Sequence, residues 1–524
     1  MERPRKVKYI VLIAVIPIVI LGFSILCRYL VEMRYSPDME SVLKLAGSNR
    51  KELEKVLKHY GKNPSDSLKL RAAEYLIVNM ADKYSEYYEA PWNDVATVYL
   101  RWTSSSDKQL VLDTYGLGET VKKEDVKYIT GEYLINNIEL AFKVWQEPHW
   151  GKTIPFDVFC EEILPYRVGN EPPENWREKA LACFADLYSS FQQDTSITIV
   201  AACSELNNRL PRFKMDMDFR NMNFSQLMAS TRGTCDDMCA LAVFAMRALG
   251  IPVMCDFTPQ NPFMRAGHSW NSVYDGNRHH IPFMGTERNP DEPDLGVSRL
   301  KNKVYRKTFA RQLNICADEA DIPPLLKNLF IKDVSSEYSG STDLEIPALF
   351  PSPKPTGYAY LASSFDYNWT SVAWGKKSQN DIRFTSIGKN VLYLPVYFYD
   401  NIQTPANYPF WLDDDGHCRF FQPSSSVIKH TFTGIAPMNR EGFGMMPGGR
   451  FEAANRQDFA DAVTIYTIDI MPGPYYHTVS VNHPSAYRYV RYASPKGKYC
   501  SISTSHLISS HTKRLPMRCI SLKT

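Results

Sequence analysis

The sequence predicts an α+β protein: a mixed helix and strand core that follows a helical N-terminal region and precedes two β-sandwich domains. Three observations lead to this prediction. Apolar residues recur at helical spacing before about residue 88 and again after Cys235. Strand-like alternation follows at His268, and beyond about residue 300 the chain turns to short β-branched and aromatic segments separated by turn residues. With 524 residues and 44% hydrophobic content, the chain is large enough for several packed cores.

The first segment, 1–34, is predicted to be a transmembrane signal anchor. Four basic residues open it: Arg3, Arg5, Lys6 and Lys8. An uncharged apolar run then extends from Tyr9 to Cys27, and Arg28 ends it. Because this run is long enough to span a bilayer, we expect an uncleaved anchor with its basic side in the cytoplasm and the rest of the chain exported. The alternative is a signal that is cleaved, which would leave a secreted or periplasmic protein.

Residues 35–150 are predicted to form a helical N-terminal region, with helix from Pro37 to about Tyr88. Asn49 and Glu52 have the spacing of a capping box at one helix start. Apolar residues follow at helical spacing: Leu53, Val56, Leu57, Ala72, Ala73, Leu76, Ile77 and Met80. We interpret this region as a packed scaffold.

A helix is predicted to begin at Cys235. Thr234 is placed as its N-cap, with Asp237 at the third helical position in a capping box. Gly250 ends the helix. Apolar residues recur along one face, which is expected to be buried: Met238, Leu241, Ala242, Ala245, Ala248 and Leu249. Cys235 therefore lies at the positive end of a buried helix, where a thiolate is stabilised.

A β-hairpin is predicted after this helix. Its first strand begins at His268, Asp275 and Gly276 form the turn, and Ile281 begins the returning strand. One cysteine at a helix start and one histidine at a strand start are the residue types that nucleophilic thiol catalysis requires.

The order Gly-x-Cys, then Arg-x-Leu-Gly-Ile-Pro at the helix end, then His-x-Trp-Asn on a strand resembles the transglutaminase-like superfamily of papain-type cysteine enzymes. The resemblance covers about residues 220 to 290, within a core placed at 151–310. It implies that Cys235 is the nucleophile, His268 the general base and acid, and Trp270 the aromatic residue beside the catalytic strand. It also implies a bacterial envelope protein that acts on a peptide or glycopeptide without a cofactor.

The third catalytic residue of this family is an acid, usually Asp, on the strand after the histidine. Met284 stands roughly where that Asp is expected. The substitutes are Glu287 as the first choice, Asp275 as the second and Asn289 as the third. A catalytically degenerate binding or scaffold protein is the alternative function.

Other arrangements of these residues are possible. Cys239 is expected to be a packed small side chain, and a zinc site could instead combine Cys235, Cys239 and His268 with His279 or His280, although the Cys-x3-Cys spacing does not favour it. Upstream, three charged residues could line a substrate cleft, but internal pairing or solvation is the preferred interpretation: Glu161, Glu162 and Arg167. The segment that contains them, with Trp176 and Arg177, resembles the one that precedes the cysteine helix in large exported bacterial members.

Residues 330–415 are predicted to form a β-sandwich. Strands are expected at four places: Thr342 to Ile346, Tyr358 to Ala362, Ile382 to Thr385 and Val391 to Tyr399. A stiff proline-rich loop is expected at 351–355. Four aromatic residues could stack on a sugar, although a place in the core is the preferred interpretation: Trp369, Trp374, Tyr393 and Tyr397.

Residues 416–503 resemble a discoidin-like, galactose-binding β-sandwich. The motifs that carry this resemblance are 446–455, which includes Gly-Gly-Arg-Phe-Glu, and 487–492, which is Tyr-Arg-Tyr-Val-Arg-Tyr. A glycan is therefore a possible partner. The acidic run at Asp413 is expected to be a turn rather than a calcium site. Residues 504–524 form an atypical basic tail that departs from the family's final strand. The net charge of +3 gives no indication of a nucleic-acid partner.

Overall fold

The computed structural model describes residues 35–88, 120–215, 221–230, 232–260, 267–290, 292, 301–312, 319–338, 340–365, 368–422, 432–434, 447–456, 459–470, 477–479, 487, 489–493, 495, 506–509 and 515–518. The predicted anchor at 1–34 lies outside them. Within this part of the chain, no helix has the length and apolar character needed to cross a membrane. Contacts divide the chain into two units, Met1–Val253 with Asn271–Pro290, and Met254–Trp270 with Asp291–Thr524.

In the described N-terminal residues, the scaffold of the first unit is formed by α1 Pro37–Leu45, α2 Arg50–Gly61, α3 Ser67–Val78 and α4 Gly131–Gln146. The apolar residues predicted to share a helix face here are all buried. The prediction of a capping box is wrong. The Asn49 side chain donates instead to the carbonyl oxygens of Val126 and Ile129, and Glu52 accepts from the backbone N–H of Gly131. These distant backbone groups give both side chains partners that local sequence does not reveal.

The predicted helix does not extend to Tyr88. Strand β1, Tyr84–Tyr88, pairs antiparallel with β2, Thr120–Glu124. Four of the five residues in β1 are aromatic or small and polar, and tyrosine favours strands over helices. Local residue type therefore overrides the helical pattern that precedes this segment.

Further along the described ranges of the first unit lie these helices and short strands: α5 Phe156–Val158, α6 Trp176–Cys183, α7 Ala185–Gln193, α8 Ile199–Asn207, β3 Lys214–Met215, α9 Phe224–Ala229, β4 Arg232–Gly233 and α10 Cys235–Ala248. A π-helix, Phe159–Ile163, continues from α5. Helix α10 packs against α4, α6, α8 and α9, so it is buried on more sides than the single predicted face.

In the described ranges, the strands that come next after α10 are β5 Val253–Thr258, β6 His268–Tyr274, β7 His280–Phe283, β8 Tyr305–Lys307 and β9 Ile331–Asp333. In the first unit β6 and β7 pair antiparallel, with Asn271 opposite Phe283. The turn between them begins at Asp275, and Gly276 has a φ of +89°, which confirms the predicted hairpin. In the second unit β5 pairs with β8, and β8 with β9.

The second unit contains an eight-stranded antiparallel sheet. Its strands are β10 Ser341–Pro347, β11 Tyr358–Phe365, β12 Asn368–Lys377, β13 Asp381–Gly388, β14 Val391–Tyr399, β15 Ile402–Pro405, β16 Phe410–Leu412 and β17 Cys418–Phe420. The order is β10-β13-β12-β11-β14-β16-β17, with β15 beside β14. The four predicted strands are confirmed. Tyr393 and Tyr397 are buried in its core, so they are not stacking surfaces for a sugar.

In the part of this region that the structure describes, the short strands are β18 Phe432–Gly434, β19 Arg450–Ala454, β20 Val463–Thr467, β21 His477–Val479, β22 Tyr489–Ala493, β23 His506–Ser509 and β24 Leu515–Arg518. They form sheets in the orders β21-β18-β23-β24 and β20-β19-β22. The two motifs that resemble a discoidin-like domain lie on the paired strands β19 and β22, where Arg491 forms an ion pair with Glu452. The predicted tail contributes β23 and β24.

Candidate functional site

The start of α10 has the geometry that the sequence predicts. Thr234 is the N-cap, and its hydroxyl oxygen accepts from the N–H of Asp237. The Asp237 carboxylate accepts in return from the Thr234 backbone N–H at 2.8 Å. Cys235 is the first helical residue and is half-buried, whereas Cys239, one turn further along, is buried. The helix therefore presents one of its two cysteines near the surface, at its positive end.

Two glycines fix how α10 is held. Gly250 has a φ of +76°, and a Cβ there would lie 2.0 Å from the carbonyl oxygen of Val144. Gly285, just past β7, lies so close to α10 that a Cβ would be 2.9 Å from the carbonyl oxygen of Met238. A larger residue at Gly250 would have to displace the backbone of α4, and one at Gly285 would press against α10 itself.

His268 is the first residue of β6 and is half-buried. Its ring centroid lies 6.0 Å from that of Trp270, and the two ring planes meet at 35°. Trp270 is 1% exposed, and its Nε1–H donates to Tyr338 Oη at 2.7 Å. Cys235 belongs to the first unit and His268 to the second.

Behind Trp270, the second unit buries a charged cluster that sequence reasoning did not anticipate. Tyr338 Oη donates to Asp256 Oδ2 at 2.7 Å, and Arg306 donates to both oxygens of that carboxylate at 2.8 and 2.9 Å. Asp256 is fully buried and Arg306 nearly so. Burial, and then the neighbouring Asp256 carboxylate, hold the pKa of Tyr338 well above its usual range, so the hydroxyl keeps its proton. The signal available in the sequence was one acid, Asp256, inside a largely apolar strand, since such a charge requires a buried partner.

The candidates for the third catalytic residue lie in different surroundings. Met284 closes a tight turn with Arg288, and Glu287 lies exposed within that turn. Asn289 bonds to the side chains of Asn207 and Asn208.

Asp275 directly follows the last residue of β6 and lies seven residues, roughly 20 Å of extended chain, from His268. Its Oδ1 accepts from the backbone N–H groups of Asn277 and His279. Partial burial by itself would raise the pKa of Asp275, but these hydrogen bonds outweigh it and lower that pKa. The Asp275 carboxylate is therefore hydrogen-bonded within its own turn.

The charged residues upstream are paired inside the first unit, as preferred from the sequence. Tyr75 donates to Glu161, and Arg167 lies 2.9 Å from Asp125. Glu162 Oε1 is 2.8 Å from His280 Nε2, and both side chains are largely buried.

The histidines proposed for zinc have other neighbours, since His280 contacts Glu162 and His279 lies 3.4 Å from Asp275. Across the described ranges, the group with metal-ligand spacing is Asp413, Asp415 and His417. There the Asp413 carboxylate accepts from the backbone N–H groups of Asp415 and His417, which is the hydrogen bonding of a turn.

Residues 190–284 match the family model of the Transglutaminase-like superfamily. The matched region begins before α8 and ends at Met284, so it includes Cys235 and His268 and stops short of Glu287. No curated protein matches the chain.

Proposed function

We propose that the protein is an exported transglutaminase-like cysteine hydrolase that cleaves an amide bond in a peptide or glycopeptide. The observation that carries this proposal is the placement of Cys235. It is the half-buried first residue of a capped, well-packed helix, inside the region that matches the family model. A cysteine with only a packing role would be expected in the interior, as Cys239 is.

The local charges both oppose and support a thiolate at Cys235. Asp236 and Asp237 disfavour it, because like charges raise the pKa of a thiol. The Asp237 carboxylate, however, accepts hydrogen bonds from the backbone N–H and the hydroxyl of Thr234, and Asp236 is exposed to water. The helix N-terminus and a protonated His268 are the stabilising contributions.

The proposed reaction has two steps. Cys235 Sγ attacks the amide carbonyl carbon while His268 takes the thiol proton and returns it to the departing amine, which leaves a thioester. Backbone N–H groups at the start of α10 stabilise the oxyanion of each tetrahedral intermediate. Water then attacks the thioester, His268 accepts the water proton and returns it to the departing sulfur, and the carboxylic acid is released.

Alkylation by iodoacetamide tests the thiol chemistry, because the exposed Cys183 provides an internal reference. We expect Cys235 to react roughly tenfold faster than Cys183 near neutral pH in the intact protein. His268→Ala should remove that excess and leave Cys183 unchanged. Equal rates for the two thiols in the wild type, together with no effect of His268→Ala, would overturn the proposal.

A second candidate function is a binding or scaffold protein that has lost its chemistry. Met284 at the expected acid position favours it, because a side chain without a carboxylate cannot accept a hydrogen bond from the imidazole. Met284→Asp separates the two candidates. If the missing acid is the defect, this variant should gain His268-dependent labelling of Cys235 that the wild type lacks. If the wild type is already reactive, the scaffold candidate fails.

The exported location and the glycan partner are separate parts of the proposal. The basic and apolar segment at 1–34 supports an envelope anchor. Fractionation of cells that express the full chain should recover it with membranes; a soluble form with a new N-terminus after Cys27 would replace the anchor with a cleaved signal. The paired motifs on β19 and β22 support glycan binding, which a glycan array on the intact protein tests.

A further inference from the structure

We infer that Tyr338 is a positioning residue for His268, because its hydroxyl connects Trp270, whose ring lies beside the imidazole, to the buried Asp256 carboxylate. This inference rests on the proposed function, since the orientation of His268 matters only if it exchanges protons with Cys235. Tyr338 and Arg306, which hold Asp256, lie outside the region that matches the family model, whereas His268, Trp270 and Asp256 lie within it.

The direction of each hydrogen bond from Trp270 through Tyr338 to Asp256 is fixed by the groups involved. An indole N–H is a donor only, and a carboxylate is an acceptor only. Tyr338 Oη therefore accepts from Trp270 and must direct its single proton toward Asp256, with both contacts at 2.7 Å. A hydroxyl is the group that can satisfy both neighbours at once, and phenylalanine could satisfy neither.

Asp256 is a rigid end to this series of hydrogen bonds. Arg306 holds both carboxylate oxygens at 2.8 and 2.9 Å, and the same guanidinium donates to Glu337 at 2.8 Å. Planar, two-point pairing fixes orientation as well as distance. Hydrogen bonds in a buried cluster are also stronger than in water, so the tyrosine is held tightly on its aspartate side.

The Trp270 ring is consequently fixed as one wall beside His268. Its face also lies 5.4 Å from Lys301 Nζ, which is 4.6 Å from the Tyr338 ring. A cation at these distances is attracted to both rings and adds to their fixed arrangement. The second unit thus orients the imidazole through a packed ring, whereas the family pattern uses an acid at the position that Met284 occupies here.

The pH dependence of Cys235 alkylation in the intact protein tests this inference. We compare the wild type, Tyr338→Phe and His268→Ala between about pH 5 and pH 9. The matched control is Tyr360→Phe, because Tyr360 is another buried tyrosine of the second unit, and its hydroxyl donates to the carbonyl oxygen of Asp321.

We expect Tyr338→Phe to raise the inflection of the profile by about one pH unit, toward that of His268→Ala, with about tenfold slower labelling below the inflection. Tyr360→Phe should leave the profile unchanged. If circular dichroism shows that Tyr338→Phe is unfolded, Trp270→Phe provides the test, because it removes the indole donor and keeps a ring beside His268; the same upward shift is expected.

The outcomes separate the two proposals. A wild-type profile that His268→Ala does not change overturns the proposed function and this inference together. A profile that depends on His268 but is the same in folded Tyr338→Phe, or in Trp270→Phe where that variant is used, overturns this inference and leaves the proposed function in place.

Discussion

Among the described residues, each unit contains a buried aspartate that is held by a tyrosine and an arginine. In the first unit Asp125 accepts from Tyr166 Oη at 2.7 Å and lies 2.9 Å from Arg167 Nε. In the second unit Asp256 accepts from Tyr338 Oη at 2.7 Å and is held by Arg306. Both carboxylates are fully buried, and in both clusters a guanidinium and a tyrosine hydroxyl compensate the cost of removing the carboxylate from water.

The clusters differ in what lies beyond the tyrosine. The backbone carbonyl of Tyr166 accepts from the side chains of Tyr133 and Trp176, on helices α4 and α6 of the scaffold. The Tyr338 hydroxyl oxygen accepts from Trp270, which is next to His268. A buried ion pair is therefore not by itself a sign of function, and the residue attached to it indicates whether it supports a scaffold or a site.

The largest predicted effect applies to both clusters equally. Arg167→Leu and Arg306→Leu each leave a buried carboxylate without its cation, so each should lower the free energy of unfolding by about 3 to 5 kcal/mol. Urea unfolding followed by circular dichroism measures this loss. The exposed ion pair of Arg383 with Glu345 is the control, and Arg383→Leu should cost about 1 kcal/mol or less. A similarly small loss of stability for either buried arginine would show that the buried carboxylate does not depend on that arginine.

A second prediction concerns Lys83, a buried lysine whose pKa is affected by Arg167 of the first cluster. Burial, and then repulsion from Arg167, lower the pKa of Lys83 to about 7. The unfolded chain, with an ordinary lysine pKa near 10.4, binds more protons between those values, so this group makes stability increase as pH rises from about 7 to about 10. Its destabilising effect is fully present below the folded-state pKa and vanishes above the unfolded-state pKa.

Lys83→Met should therefore stabilise the first unit near neutral pH by a few kcal/mol, at about 1.4 kcal/mol for each unit of pKa difference. The gain should fall toward zero near pH 10. Lys127→Met is the control, since Lys127 is exposed and paired with Glu124. Thermal melts across this pH range measure the difference, and parallel curves for the wild type and Lys83→Met would refute it.

The third prediction separates scaffold from site. Tyr166→Phe and Tyr338→Phe each remove one hydrogen bond to a buried carboxylate, so each should lower the free energy of unfolding by about 1.5 to 3 kcal/mol. Only Tyr338→Phe should change the pH profile of Cys235 alkylation. An equal change in both variants would mean that the profile reports general loosening, and the distinction between the clusters would not hold.

The smallest predicted effect distinguishes a scaffold helix from the helix of the candidate site within the first unit. Thr234 caps α10 and Thr130 caps α4, each through its side-chain hydroxyl. Thr234→Ala and Thr130→Ala should each cost about 1 kcal/mol of stability. Only the loss of the Thr234 cap should alter the reactivity of Cys235, measured against Cys183 in the same sample; an effect of Thr130→Ala of the same size would contradict a specific role for the α10 cap.

Local sequence predicted the elements whose signals are themselves local. The start of α10 depends on Thr234, Asp237 and the helix dipole, and its end depends on Gly250; all of these act within a few residues. The four predicted strands after residue 330 are confirmed for the same reason, because alternation and turn residues are short-range properties.

Contacts between distant residues could not be predicted in this way. Asn49 and Glu52 have capping-box spacing, yet both bond to backbone groups more than 70 residues away. Asp256 and Tyr338 are separated by 82 residues, and no periodicity connects them. Only the unusual burial of a lone acid in an apolar strand could have indicated that Asp256 has a partner, and it could not have identified which one.

The pH at which alkylation of Cys235 is half-maximal, measured in the intact wild type and in His268→Ala, tests the proposed thiol chemistry most directly. We predict a wild-type midpoint well below the ordinary thiol value near 8.5, and a midpoint in His268→Ala that returns toward it. A wild-type midpoint at or above 8.5 that His268→Ala leaves unchanged would contradict the proposed Cys235 and His268 pair.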